Sequence, residues 1–406
     1  MRVLIADKLA PHAVAQLRDS GFDAIQEPSL SGGSLKARIQ DINPSVLVVR
    51  STRVEHQHIH AANALSLVVR AGAGVNTIDL DAAAEQGVFV ANCPGRNSIA
   101  VAELAFGLLL AVDRGIPDAT AALRQGHWNK ARFSKADGIA NKTIGIAGTG
   151  GIGREVIARA KAFGMQVVAY SRSLTPAMAQ QWGVGHAEDL VDLAQRSDVV
   201  SIHLPLNEAT RGCVNAEVLG ALGDDGILLN TSRGEVVDGE ALLTALGTGL
   251  RAGLDVYPEE PSAKDVEWIS AIAQHPNVVG TPHVGASTTQ AQVAVADAVC
   301  DVIHAFHTTG TVPNCVNLAR RSRANHVLVV RHRDRVGVLA SVLEALRRHE
   351  INVQEMGNRI FEGAQAASAR ISVAGPVSED LIDALLALPH ILNVSAVPLN
   401  SPGVDS

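Results

Sequence analysis

Two groups of residues in this 406-residue chain have the types and spacing to do chemistry. The first is Gly148-Thr149-Gly150-Gly151-Ile152-Gly153, preceded by a strand-forming apolar run (143–147) and followed by a helix-forming stretch (154–163). In that setting the glycines permit a tight turn, close approach of a pyrophosphate to backbone N–H groups and close helix packing, which predicts a dinucleotide site. The second group is spread over NTSRGEVVD (230–238), GLDVYPEEP (253–261) and TPHVGAST (281–288), each after a strand candidate. Hydride transfer to or from a hydroxy acid needs a cation for the carboxylate, a group titrating near neutrality to move the hydroxyl proton, and a carboxylate to orient that group. Arg233, His283 and Glu260 supply those types.

The strand after the glycine loop ends in Ser171-Arg172. An acidic side chain there would take the adenosine ribose hydroxyls, whereas this pair could accommodate a 2′-phosphate. The expectation is that NAD(H) binds and that NADP(H) is at least tolerated.

These loops must be held by a scaffold. The length predicts two or three domains. Apolar runs at 3–6, 46–50, 67–71 and 88–92 alternate with amphipathic stretches. After a long apolar helix from Ser98 the pattern repeats at 143–147, 166–170, 199–203, 226–230 and 252–256. Such alternation predicts parallel sheets covered by helices. The helical stretch 289–309 is placed to return to the first unit. From residue 320 the texture changes: Arg320, Arg321, Arg323, Arg331, Arg333, Arg335, Arg347 and Arg348 crowd one segment, and the elements that follow read βαββαβ. The expected class is α/β, with two doubly wound Rossmann-like parallel-sheet domains and a C-terminal ferredoxin-like domain. The boundaries are 1–98 with 288–319, then 99–287, then 320–406.

Composition narrows the partners. With 34 Lys and Arg against 41 Asp and Glu, a net charge of −7, 47% hydrophobic and 18% charged residues, the chain has no global field for nucleic acid or an anionic membrane. The apolar run at 3–6 is cut by Asp7 and Lys8, and no segment reaches the length of a membrane span. A cytoplasmic location follows as the default. Cys93, Cys213, Cys300 and Cys315 are scattered without metal-ligand spacing, which predicts buried thiols and no metal site.

Taken in order, GTGGIG, SRGEVVD, GLDVYPEEP and TPHVGAST resemble the motifs of the D-isomer-specific 2-hydroxyacid dehydrogenases. The resemblance implies that Arg233 clamps the substrate carboxylate and carbonyl, that His283 is the acid/base, and that Glu260 keeps it protonatable. It implies a cofactor path over the glycine loop, Ser171 and Arg172, then His203, Pro205, Thr231, Ser232, Gly285 and Ala286, with Asp255 beside the nicotinamide. Within the family the likeness is to members that oxidise 3-phosphoglycerate at the start of phosphorylated serine synthesis. It covers nearly the whole chain, including 49–52, 70–76, 92–98 and 101–104. A phosphate needs several cationic or N–H donors, and Arg50, Ser51, Arg70 and the Asn97-Ser98 turn are the candidates. Gly72, Ala73 and Gly74 would lie beside the substrate. The segment 128–133, with Lys130 and Arg132, resembles the stretch that reaches a neighbouring subunit's substrate, implying a homodimer or homotetramer. Ala73 where relatives carry Thr, Asn76 where Asp is frequent, and Ser171 in place of an acid are departures.

Residues 326–399 resemble an ACT module, a small amino-acid-binding domain. Gly337 would open a helix N-terminus to a ligand carboxylate, Asn352 would bond its polar groups, and Asp334 stands where serine-binding relatives carry Asn. L-serine is the expected effector. Two other readings are a hydroxypyruvate, glyoxylate or other D-2-hydroxyacid reductase, favoured by Ser171-Arg172, and a non-enzymatic NAD-sensing corepressor-like scaffold sharing the Arg, Glu and His set.

Overall fold

The computed structural model describes residues 1–261, 265–319 and 322–399; Arg320 and Arg321, which head the arginine-rich segment, lie outside the described residues. The chain divides into two compact units, Met1–Asn317 and Leu318–Ser406. Among the described residues no helix is long and apolar enough to cross a membrane.

The first unit holds two parallel sheets. One runs β2-β1-β3-β4-β5, from β1 (Arg2–Ile5), β2 (Asp23–Gln26), β3 (Val46–Val49), β4 (Leu67–Arg70) and β5 (Phe89–Asn92). The other runs β12-β11-β10-β9-β6-β7-β8, from β6 (Thr143–Ala147), β7 (Gln166–Tyr170), β8 (Gly185–His186), β9 (Val199–Ile202), β10 (Ile227–Asn230), β11 (Arg251–Leu254) and β12 (Val278–Gly280). Central strands such as Val46-Leu-Val-Val49 and Ile227-Leu-Leu-Asn230 are buried throughout, as strands covered by helices on both faces must be. The strands that the apolar runs do not reveal are β2, β8 and β12. All three are sheet edges, where one flank is open and a continuous apolar run is not required. Strand order reverses between β9 and β6, and the glycine loop leaves β6 at that switch point, where doubly wound sheets open their ligand crevice.

Two long helices tie these sheets to their cores. Ser98–Arg114, ended by Gly115 at φ 58°, buries Ala102, Ala105, Leu108 and Leu109 against Ile144, Ile146 and Leu229 of the second sheet. Thr289–Thr309 starts on the Thr288 hydroxyl, which accepts the Ala291 N–H at 3.1 Å. Its Ala296, Val299, Cys300 and Ile303 pack with Val3, Ile5, Val14 and Leu17 of the first sheet's layer. Each such fully buried Ile or Leu contributes about 1.5–3 kcal/mol.

The second unit is an antiparallel sheet, β14-β15-β13-β16, from β13 (His326–Arg333), β14 (Asn352–Ile360), β15 (Ala366–Ala374) and β16 (Ile391–Pro398). The amphipathic helices Val338–Arg348 and Glu379–Leu386 bury Val342, Leu346, Leu381 and Leu385 on Leu328, Val330, Ala369 and Ile371. The chain order is βαββαβ.

Candidate active site

The loops at the carboxyl ends of both sheets of the first unit surround a cleft of about 1120 Å³. Asp7 follows β1, Arg50 and Ser51 follow β3, and Arg70, Gly72, Ala73 and Gly74 end and follow β4. From the other side come His203 and Pro205 after β9, Thr231, Ser232 and Arg233 after β10, and Asp255 after β11. Asn97, Ile152, Glu260, His283, Gly285 and Ala286 complete the residues of interest on its walls.

At the centre, Nδ1 of His283 lies 2.6 Å from Oε2 of Glu260, whose Oε1 accepts the Tyr257 N–H at 2.9 Å. The carboxylate raises the imidazole pKa through this hydrogen bond, against the opposing effect of burial. Burial raises Glu260, yet the bonds from His283 and Tyr257 leave its pKa lowered. His283 has φ 52°, a left-handed backbone that few non-glycine residues adopt. Asp255 enforces it. Buried to 1% exposure, its carboxylate accepts Thr281 Oγ1 at 2.6 Å and the N–H groups of Val284 and Gly285 at 2.8 Å, while its carbonyl takes the His283 N–H at 2.8 Å. All of these bonds go to the 281–285 loop, so Asp255 braces His283. A methyl group on Gly285 would press on Asp255 Oδ2.

Arg233 is placed by Asn230. The Asn230 amide donates to the Arg233 carbonyl at 2.9 Å, and its Oδ1 accepts Ser232 N and Oγ at 3.0 and 2.8 Å. The Arg233 guanidinium donates to the Ser232 carbonyl at 2.6 Å and fills the space that a side chain on Gly74 would need, so the two sheets' loops meet at a glycine. Arg70 is largely buried with Nε unpartnered. Burial, then the charges of Arg233 and Arg50, pull its pKa down to about 10, still protonated at neutrality. No carboxylate among the described residues pairs with Arg50, Arg70 or Arg233. Counting Arg53, which also lines it, four guanidinium groups therefore share one cleft with the His–Glu pair.

The glycine loop fits a dinucleotide. Gly148 has φ 100° and a Cβ there would strike the His203 carbonyl, while one on Gly153 would strike the Gly148 carbonyl. Gly150 faces open space and caps Gly151–Ala162 without a side-chain bond, leaving the helix N–H groups for an anion. Two buried polar atoms lining the cleft lack partners, His203 Nδ1 and Thr231 Oγ1. His203 is held neutral, burial pushing its pKa to about 4, and its Nε2 bonds Ser201 Oγ at 2.8 Å. Such groups suit a polar ligand that completes them.

Several predicted residues lie outside the cleft or are bonded within it. Ser98 is tucked behind the glycine loop, its Oγ where a Gly151 side chain would go. Ser51 lines the cleft, but both its N–H and its hydroxyl are given to Asp7. Ser171 bonds Thr149 at 2.8 Å and Arg172 beside it is exposed. Lys130 and Arg132 are on the short helix Lys130–Phe133, where Arg132 pairs with Asp118 at 3.0 Å. Neither reaches the cleft within this chain. In the second unit, Gly337 opens the Val338–Arg348 helix with φ 90°, a conformation suited to glycine, Asp334 donates its N–H to Gln365, and exposed Asn352 begins β14. Asp7, read in the sequence only as an interruption, joins the site. The signal that finds it is an acid directly at the carboxyl end of a central strand.

The family model described as "D-isomer specific 2-hydroxyacid dehydrogenase, NAD binding domain" matches residues 106–285. The D-3-phosphoglycerate dehydrogenase of Methanocaldococcus jannaschii is 38% identical over 321 residues, 78% of this chain and 60% of that protein. The protein of the same name from Mycobacterium bovis is 36% identical over 388 residues, 94% of this chain and 71% of that one. The chain thus spans well under two thirds of the archaeal relative's length and somewhat over two thirds of the mycobacterial one's. Among solved structures, an NADPH-dependent glyoxylate/hydroxypyruvate reductase from Sinorhizobium meliloti superposes with TM-score 0.67 at 30% identity, over 78% of this chain and 97% of that one.

Proposed function

Because the chain belongs to the D-isomer-specific 2-hydroxyacid dehydrogenase family, we propose that it oxidises 3-phosphoglycerate to 3-phosphohydroxypyruvate with NAD, the entry to phosphorylated serine synthesis. The observation that carries the substrate is the cluster of guanidinium groups without carboxylate partners among the described residues, Arg50, Arg70 and Arg233 with Arg53 beside them, around one His–Glu pair. A lone carboxylate needs one of them. A substrate with a carboxylate at one end and a phosphate at the other uses several, and Arg50, Arg70 and Arg233 are the ones placed for it.

NAD, when bound along the glycine loop, supplies the hydride acceptor. Arg233 binds the substrate carboxylate in a bidentate fork and polarises the C2 oxygen. His283 takes the C2 hydroxyl proton on Nε2, and Glu260 stabilises the imidazolium that results. Asp255 and its bonds to 281–285 hold the imidazole where that proton leaves. Arg50 and Arg70 receive the phosphate.

In this reading residues 1–98 with 288–319 bind substrate, 99–287 bind the cofactor, and 320–406 form an ACT-type regulatory module that takes L-serine. The protein acts in the cytoplasm as a homodimer or homotetramer in which Lys130 and Arg132 serve the partner's cleft. Serine should lower turnover; initial rates unchanged by millimolar L-serine, without a thermal shift, remove the effector. The activity is tested by NADH formation from 3-phosphoglycerate with the ketone product trapped by hydrazine. Sustained NADH formation is the expected result, and none would refute it. A second reading, reduction of glyoxylate or hydroxypyruvate with NADPH, is favoured by Ser171-Arg172 alone, and the same assay run in reverse with those acids distinguishes it.

A further inference from the structure

Asp7 stands at the carboxyl end of β1, 7% exposed, yet on the wall of the cleft. Its Oδ2 accepts three consecutive backbone N–H groups, Arg50 at 2.7 Å, Ser51 at 3.0 Å and Thr52 at 2.9 Å, and its Oδ1 accepts the Ser51 hydroxyl at 3.1 Å. Successive N–H groups converging on one anion form a nest, an anion-binding concavity of the backbone. The neighbouring strand β3 ends at Val49, so the nest is the turn that launches the Arg50 side chain into the cleft. The carboxylate's acceptor sites are taken by the turn, and it forms no ion pair with Arg50, Arg70 or Arg233. An acid beside several guanidinium groups would ordinarily quench one of them. Here it orders the loop and leaves the cations available.

We propose that Asp7 is a positioning residue for the substrate's anionic end, an internal anion that folds the Arg50–Thr52 turn so that Arg50 meets the ligand. The role rests on the reading above that Arg50 receives the phosphate. It separates Asp7 from the proton-transfer machinery, because every group its carboxylate bonds belongs to the 50–52 turn and none to the 255–285 loops. Its loss should therefore weaken substrate capture more than it slows chemistry.

The test compares the full-length wild type with Asp7→Asn and Asp7→Gly, measuring KM and kcat for 3-phosphoglycerate, its calorimetric affinity for the NADH complex, and NADH affinity itself. Both variants should raise KM about tenfold or more with a smaller change in kcat and unchanged NADH affinity. Acetate has the shape of the side chain that Asp7→Gly removes. It should bring the KM of Asp7→Gly back towards the wild-type value and give no such recovery in Asp7→Asn, where the site is filled. That rescue, read within one preparation, distinguishes positioning from general misfolding. Unchanged KM in both variants overturns the proposal while leaving the substrate reading standing. So does a fall in active fraction or kcat with KM unchanged and no acetate rescue. A wild-type protein that neither binds nor oxidises 3-phosphoglycerate overturns the substrate reading, and this proposal with it.

Discussion

Glu260 grips His283 from one side only: its Oε2 sits 2.6 Å from Nδ1 of the imidazole while its Oε1 is fixed by the Tyr257 N–H at 2.9 Å. With Nδ1 engaged, Nε2 is the ring atom left for substrate, and no protein group among the described residues bonds it. The pair has a definite pH signature. Oxidation needs neutral His283, so its rate should rise with pH through a value above the ordinary 6.5, because Glu260 raises the imidazole. Replacing Glu260 by Gln should move that acid limb to lower pH and cost about 10- to 100-fold in kcat. A limb that stays in place would assign the titration to another group.

The same pair predicts a stability window. A histidine raised in the folded state adds stability fully present below its unfolded value and lost as pH climbs through the folded one. The lowered Glu260 adds stability present above its ordinary 4.5 and lost as pH falls. The difference in Tm between wild type and Glu260→Gln should be largest between those two ordinary values and shrink on either side. It should be small throughout, because His283 is half exposed and solvent screens the interaction.

Removing the imidazole is the direct test of its role. His283→Ala should lower kcat by about a hundredfold to ten-thousandfold while NADH affinity stays within a few-fold, since the glycine loop is untouched. Retention of most of the activity would remove His283 from the proton transfer.

Arg233 and Gly74 predict a steric phenotype. Gly74→Ala places a methyl group where the guanidinium lies, and Arg233→Lys keeps the charge but loses the fork. Arg233→Lys should lower kcat/KM by about a hundredfold and Gly74→Ala by about tenfold, both with near-normal Tm. Steady-state kinetics beside thermal unfolding check this.

At the adenosine end expected for the cofactor, Thr149 and Ser171 share a 2.8 Å hydrogen bond with Arg172 exposed beside them. NADP(H) should be used by the wild type. Arg172→Ala should raise KM for NADP(H) about tenfold and leave NAD(H) nearly unchanged. Equal losses with both cofactors would show that Arg172 does not read the 2′-phosphate.

Much of the scaffold was legible because buried parallel strands are written as unbroken apolar runs. β6, β7 and the helix Thr289–Thr309 match their expected limits, and the βαββαβ order of the C-terminal unit follows from its alternation. The edge strands β2, β8 and β12 were not legible, since an open flank imposes no such run. Within the cleft, residue type announced Arg233, Glu260 and His283. It did not announce how donors would be spent. Ser51 reads as a phosphate ligand, and Asp7 also takes its N–H and hydroxyl; Asp255 reads as a cofactor contact, and its carboxylate also braces 281–285. Those assignments depend on contacts between segments far apart in the chain, which no local pattern encodes.

The substrate is the central claim, and comparing kcat/KM for 3-phosphoglycerate and D-glycerate with NAD tests it most directly, because the two differ only in the phosphate that Arg50 and Arg70 would bind. A preference of at least about a hundredfold for the phosphorylated acid is the expected result. Equal values, or a preference for D-glycerate or for glyoxylate in the reverse direction, would contradict it.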